Sequence, residues 1–280
     1  MSLEVLLAVL LGALLHAAWN TMIRGSANRT LDTVLVVAGA GAIMVLLLPF
    51  LPLPAAASWP YALASGVIHV GYFLLVAGAY RHGDLSYVYP LMRGTAPALT
   101  AIAGALLLAE IPALQGWLGV ILICSGVLLL AGDAWRKATL QGSATLFALG
   151  TAGIVVIYTL VDGVGVRLSG NAAVYTGWVF LLTALPLTAI FLWRDRRSTL
   201  TYARQHWQRG LFGGTCTLAS YALALWAMTQ APIALVAALR ETSVVFGTLL
   251  AALLLKESVS RTRYAAIGVV VAGAVAIKLA

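Results

Sequence analysis

The chain alternates apolar runs of about twenty residues with short gaps that hold its charges, prolines and polar clusters. A helix needs roughly 20 apolar residues to cross the ~30 Å hydrocarbon core of a bilayer. Cut at that length, the sequence yields ten spans: 3–23, 31–53, 59–80, 86–109, 113–132, 142–162, 172–193, 207–229, 234–255 and 263–279. Hydrocarbon cannot satisfy backbone polar groups, and the alternating strand pattern of a membrane barrel is absent, so the runs are read as helices. The prediction is an all-α polytopic membrane protein of ten transmembrane helices. The first run carries only Glu4 and lacks the basic start of a signal peptide, so it is expected to remain as a helix.

Composition agrees with this reading: 62% of residues are hydrophobic and 9% charged, against roughly 45–50% and about 25% in soluble domains. The mean hydropathy of +0.98 leaves no room for a sizeable extramembrane domain. A net charge of +8 would suggest nucleic acid in a soluble protein, but here the basic residues sit in the gaps between spans. Trp59, Trp117, Trp135, Trp193 and Trp207 fall near span ends, as interfacial anchors do. Cys124 and Cys216 lie inside apolar runs without metal-ligand spacing and read as small core residues. No cofactor, metal or nucleic-acid partner is expected.

The gaps after spans 1, 3, 5, 7 and 9 hold Arg24, Arg29, Arg81, Arg136, Lys137, Arg194, Arg196, Arg197, Arg204, Arg209, Lys256, Arg261 and Arg263. The other side holds only Arg167 and Lys278. The positive-inside rule assigns the rich side to the cytoplasm and both termini to the outside of the inner membrane.

The chain also resembles itself. Leu91-Met-Arg-Gly-Thr95 and Leu239-Arg-Glu-Thr242 each precede an apolar helix ending in glutamate, and one offset of 147 residues relates Arg93 to Arg240, Glu110 to Glu257 and Gly126 to Gly273. Gly71-Tyr72 and Ser220-Tyr221 match with a two-residue loop difference. Two five-helix halves follow, residues 1–139 and 140–280. An odd number of helices per half inverts one relative to the other, the construction of many secondary transporters.

These features resemble the EamA-type branch of the drug/metabolite transporter superfamily over nearly the whole chain. His16-Ala-Ala-Trp19-Asn20, Tyr158-Thr-Leu-Val-Asp162-Gly163 and Leu239-Arg240-Glu241-Thr242-Ser243 look like a bacterial subgroup of it. The resemblance implies a ten-helix bundle with a central cavity, among relatives that export amino acids and other metabolites, exchange nucleotide sugars or expel drugs. Better-known bacterial relatives keep both termini in the cytoplasm, at odds with the basic-residue count here; the count is followed.

Two of the 17 basic residues, Arg93 and Arg240, fall well inside spans at matched repeat positions. An intramembrane arginine needs a partner, water or substrate, and its fork can clamp a carboxylate or phosphate. A structural reading stands beside this one, with Arg240 pairing with Glu241 or Asp162 and Arg93 with backbone carbonyls or a helix end. Tyr89, Arg93 and Pro97 share one side of span 4 by four-residue spacing, and Pro97 frees the Arg93 carbonyl. His16, Trp19 and Asn20 share a face of span 1, His69 and Tyr72 one of span 3, and Tyr158 and Asp162 one of span 6. Asp162 precedes Gly-Val-Gly, where span 6 is expected to end, which leaves it either solvated near the surface or projecting inward. Trp178 and Trp226 are mid-span, with Tyr175 three residues before Trp178 and Tyr221 in the middle of span 8, and these rings line a cavity or simply pack.

The leading expectation is a secondary carrier of a small polar metabolite, an amino acid or organic anion, exported or exchanged by alternating access. A proton is a candidate co-substrate, and the oligomeric state is monomer or dimer. The rivals are proton-coupled efflux of lipophilic cations and an intramembrane enzyme. The sequence has no Walker loop, nucleophile elbow or His-x-x-x-His pair, which argues against an ATP-driven pump and against the familiar hydrolytic chemistries.

Overall fold

A computed structural model of the chain describes residues 1–82, 85–130, 142–254, 256 and 259–280, without the side chains of Leu74, residues 77–82 and 85–87, and Tyr89. The predicted roles of Tyr89, Trp135 and Glu257 lie outside the described residues. All regular structure described is helical: α1 (Leu3–Arg24), α2 (Arg29–Leu47), α3 (Trp59–His82), α4 (Leu85–Leu108), α5 (Leu114–Leu129), α6 (Gly142–Ser169), α7 (Ala172–Gln230), α8 (Ile233–Arg240), α9 (Ser243–Leu254) and α10 (Arg261–Leu279), with short 3-10 turns at Leu48–Phe50 and Ala56–Ser58. Side-chain N-caps fix several starts: Ser2 accepts from Val5 N, Asn28 from Leu31 N, Asn171 from Ala173 and Val174 N, and Ser260 from Arg263 N. Among the described residues, six segments are long and apolar enough to cross a bilayer: Leu3–Arg24, Arg29–Phe50, Gly142–Ser169, Ala172–Gln230, Ile233–Leu254 and Arg261–Leu279.

Three boundaries differ from the sequence expectation. Helix α6 continues to Ser169, seven residues beyond the predicted end, because the Gly-Val-Gly stretch is a packing surface and not a stop. A Cβ on Gly163 would lie 2.4 Å from Ile233, and one on Gly165 2.3 Å from the Tyr175 hydroxyl. Predicted spans 7 and 8 form one 59-residue assignment, α7, whose non-helical backbone at Asp195 and His206 divides it into three pieces. Straight, it would run ~88 Å, nearly three bilayer cores; divided, its outer pieces match the two predicted spans. Predicted span 9 is broken into α8 and α9 at Glu241 and Thr242.

Contacts sort the connections to two ends of the bundle. At one end Ala55 N donates to Ser169 O, Arg167 pairs with Glu110, and Ile233 N donates to Glu110. The Lys278 ammonium donates to the Met1 carbonyl, which joins the termini. At the other end Tyr202 and Arg209 both donate to the buried Asp32, at 2.8 and 3.1 Å, and tie the middle of α7 to the start of α2. Burial, with Asp32 beside it, holds the Tyr202 phenol above its usual pKa.

The repeat is visible in backbone and packing alike. Among the described residues only Ala109 and Lys256 combine a side chain with positive φ, both at 54°, and they stand 147 positions apart. This left-handed residue ends the helix ahead of each glutamate. Between α5 and α10, a Cβ on Gly119 would lie 2.8 Å from Gly273 O, and one on Gly126 3.0 Å from Ala266 O. Residue numbers fall along one helix as they rise along the other, so these repeat-equivalent helices run antiparallel, as an inverted repeat requires. Each contact is the other's image under the 147-residue offset.

Lipid offers no hydrophobic drive for helix association, so small residues that let backbones approach carry the packing. On Gly39 of α2 a Cβ would lie 2.1 Å from Gly210 O of α7, whereas on Gly247 it would meet nothing within 4 Å. Gly39→Ala is expected to cost about 1–3 kcal/mol by overpacking, read as a lower melting temperature in detergent. Gly247→Ala should show no loss.

Candidate functional site

The centre of the bundle is polar. Arg93 of α4 reaches across the repeat interface to Glu241, with Nε 2.9 Å from Oε2 and both side chains buried. Glu241 stands at the end of α8, in a tightened turn where Glu241 N donates to Ala238 O and Thr242 N to Leu239 O. Thr242 Oγ1 also donates to Leu239 O at 2.7 Å. Such a mid-span break turns the Glu241 carboxylate toward Arg93 of α4.

Arg240 is treated differently. Its guanidinium carbon lies 5.0 Å from the centroid of the Tyr221 ring, a cation–π contact. Among the described residues no carboxylate is within salt-bridge distance of it. Arg93, Arg240 and Glu241 line one cavity with Ala96, Pro97, Thr100, Val155, Tyr158, Thr159 and Ala237, which has room for about one water molecule. The structural alternative from sequence is therefore reversed: Glu241 serves Arg93, and Arg240 rests on an aromatic face.

Beside the cavity lies a second cluster. Asp162 is fully buried, not near a helix end, and accepts from Tyr175 Oη at 3.0 Å and from Tyr221 Oη. His69 stacks on Tyr158 with ring centroids 4.4 Å apart and meets Tyr221 edge-on at 5.9 Å. Its Nδ1 is engaged by Ser65, 2.9 Å from the carbonyl and 3.1 Å from the hydroxyl. Tyr72 packs edge-on to Tyr158 at 5.8 Å. Tyr221 links the two clusters, with its hydroxyl on Asp162 and its ring under Arg240.

On α1, His16 lies within electrostatic reach of both arginines and packs edge-on to Trp19 at 5.2 Å. Asn20 spends its amide on the His16 carbonyl, 2.8 Å away. The Trp19 Nε1 is buried with no hydrogen-bond acceptor among the described residues. Trp226, with 37% of its surface exposed, faces outward, while Trp178 packs on Trp59 at 4.8 Å.

Sequence reasoning missed two groups. Tyr175 is a direct partner of Asp162, legible only once α6 is extended to Ser169, which puts both residues within two turns of the same hairpin loop. Arg167 and Glu110 form a clamp at the bundle end. Arg167 pairs with Glu110 and donates to Met228 O at 2.7 Å and Ala231 O at 3.1 Å, while Glu110 Oε2 accepts from Ile233 N at 2.9 Å. One carboxylate thus caps the start of α8, and one guanidinium holds the end of α7.

Buried charges, a broken helix and a polar centre between two inverted halves define a polytopic α-helical membrane transporter. The profile of the EamA-like transporter family matches residues 3–132 and again 142–279, so the chain belongs to that family, within the drug/metabolite transporter superfamily. A solved crystal structure of a protein shares 20% identity and a TM-score of 0.74, over 99% of this chain and 96% of that one; the likeness is one of fold. No curated protein matches the chain.

Removing one partner of a buried ion pair costs about 3–5 kcal/mol, because the other charge is stranded. Arg93→Ala should lower the melting temperature strongly, and adding Glu241→Leu to Arg93→Met should recover most of that loss. Arg240→Ala forgoes a cation–π contact of about 0.5–2 kcal/mol and should cost visibly less in the same assay.

Proposed function

We propose that the chain is a secondary carrier that moves a small anionic or zwitterionic metabolite, such as an amino acid or organic anion, across the inner membrane by alternating access, as an exporter or exchanger. The observation that carries this is the unequal treatment of two repeat-related arginines. Arg93 is paired with Glu241, while Arg240 lines the same cavity against a tyrosine face, with no carboxylate within salt-bridge distance among the described residues. A guanidinium so placed can accept a ligand carboxylate or phosphate without first breaking an ion pair. The buried Trp19 Nε1 offers a further donor, and Tyr72, Tyr158 and His16 give the site shape and polarity. Glu241 is already committed to Arg93, which counts against the rival reading in which a free acid attracts lipophilic cations.

A ligand at 100 times its Kd adds about 2.7 kcal/mol to the stability of the state it binds. Purified protein tested in a thermal-shift panel of amino acids, small carboxylates, phosphorylated metabolites and lipophilic cations should respond to an anionic or zwitterionic class. Arg240→Ala should abolish that response while the variant remains folded. Stabilisation by lipophilic cations that survives Arg240→Ala would replace this reading with drug efflux.

The sidedness of the basic residues supports termini outside the cytoplasm. A C-terminal alkaline phosphatase fusion should be active and a C-terminal green fluorescent protein fusion dark. The opposite pair of signals would reverse the orientation.

A further inference from the structure

We propose that Asp162 is the site at which a coupling proton is taken up and released, and that Tyr221 conveys its charge state to Arg240. The proposal rests on the carrier reading and names the group that would link it to a proton gradient.

Asp162 has no accessible surface, yet among the described residues no lysine, arginine or histidine nitrogen lies within salt-bridge distance of it. Neutral hydroxyls hold it: Tyr175 on Oδ1, Tyr221 on Oδ2, and the Ser65 hydroxyl also within hydrogen-bonding reach. A buried carboxylate with neutral donors and no cation in direct contact has both protonation states within reach, because hydrogen bonds favour the anion while burial favours the acid. The other ionisable or charged groups facing the cluster are His69 from α3, Tyr158 from α6 and Arg240 from α8, with Ser65 beside His69. Glu241 differs in having a cation in direct contact, Arg93 at 2.9 Å.

The step balances simply: one proton binds the carboxylate, no other bond forms or breaks, and the same proton later leaves. As an anion Asp162 accepts from Tyr221 Oη and fixes the ring whose face lies under Arg240. Once Oδ2 carries its own hydrogen it cannot accept along the same line, so Tyr221 must accept from it or turn away. The ring then loses its tether and Arg240 loses a nearby negative charge, so the guanidinium is left more open to an anionic ligand. A proton on Asp162 and an anion on Arg240 thereby favour each other's binding, so the two cross together and export is driven by the anion's own outward gradient.

Infrared difference spectra of purified protein, titrated from mildly acidic to mildly alkaline pH without any substrate, test this directly. A protonated-carboxyl C=O band should titrate, move on labelling with 4-13C-aspartate, disappear in Asp162→Asn and persist in Glu241→Gln. Tyr221→Phe and Arg240→Ala each remove a stabiliser of the anion, so each should move the midpoint of that band to higher pH. The isotope label separates aspartate from glutamate even if Asp162→Asn fails to fold. A wild-type protein with no titrating aspartate band, or a midpoint indifferent to both Tyr221→Phe and Arg240→Ala, overturns the proposal. Because the spectra need no ligand, their failure is distinct from a thermal-shift panel in which no anion binds.

Discussion

The structure turns on the requirement that charge buried in a hydrocarbon-facing bundle be compensated inside it. Desolvating an ion costs several kcal/mol even after relaxation, so Arg93, Glu241, Arg240 and Asp162 cannot stand in the bundle as independent residues. They form a formally neutral set. One pair is in direct contact at 2.9 Å, and the other two are joined through Tyr221, which donates to Asp162 and lays its ring against Arg240. An exact pairing of all four would make a rigid structural core. Leaving one cation and one anion separated by a phenol gives a centre with an unsaturated arginine, which is where chemistry toward a ligand can enter.

The inverted repeat explains how that imbalance arises. Carried over by 147 residues, Arg240 corresponds to Arg93, but Glu241 corresponds to Gly94. A perfect repeat would give each arginine its own glutamate across the interface. Glycine at 94 removes one of them, and its place is used for close packing, since a Cβ there would lie 2.7 Å from the Leu128 side chain. The symmetric features, the α5–α10 glycine crossing and the paired left-handed residues Ala109 and Lys256, lie away from the cavity. Symmetry is therefore kept in the scaffold and broken at the centre.

Much of this was legible in the sequence because the bilayer limits what an apolar run can become. The helical class and the offset of 147 residues follow from run length and from repeated polar residues, and the family from the resemblance of its local motifs. Arg93, Arg240, Glu241 and Tyr221 stand out as polar groups with no business in lipid. The errors came where one local signal had two physical causes. Gly163 and Gly165 read as a helix end, but they admit Ile233 and Tyr175 against a continuous helix. The break after Arg240 left no glycine or proline to mark it, only the Glu241-Thr242-Ser243 polar run. Which arginine takes the glutamate depends on a crossing geometry that no single helix encodes.

The depth of each polar contact also orders what can move. The Arg167–Glu110 clamp joins the starts and ends of α6, α7 and α8 at the bundle end, with about a third of Arg167 exposed. Water reaches the Arg167 side of the pair and can replace hydrogen bonds there, which lowers the cost of opening it. Breaking the buried Arg93–Glu241 pair strands a charge at about 3–5 kcal/mol. A motion that opens the clamped end while keeping the central pair intact is therefore far cheaper than one that parts α4 from α8. In the proposed carrier Arg93 and Glu241 would be the pivot between the halves, and Arg240, resting on the Tyr221 ring, the charge that responds.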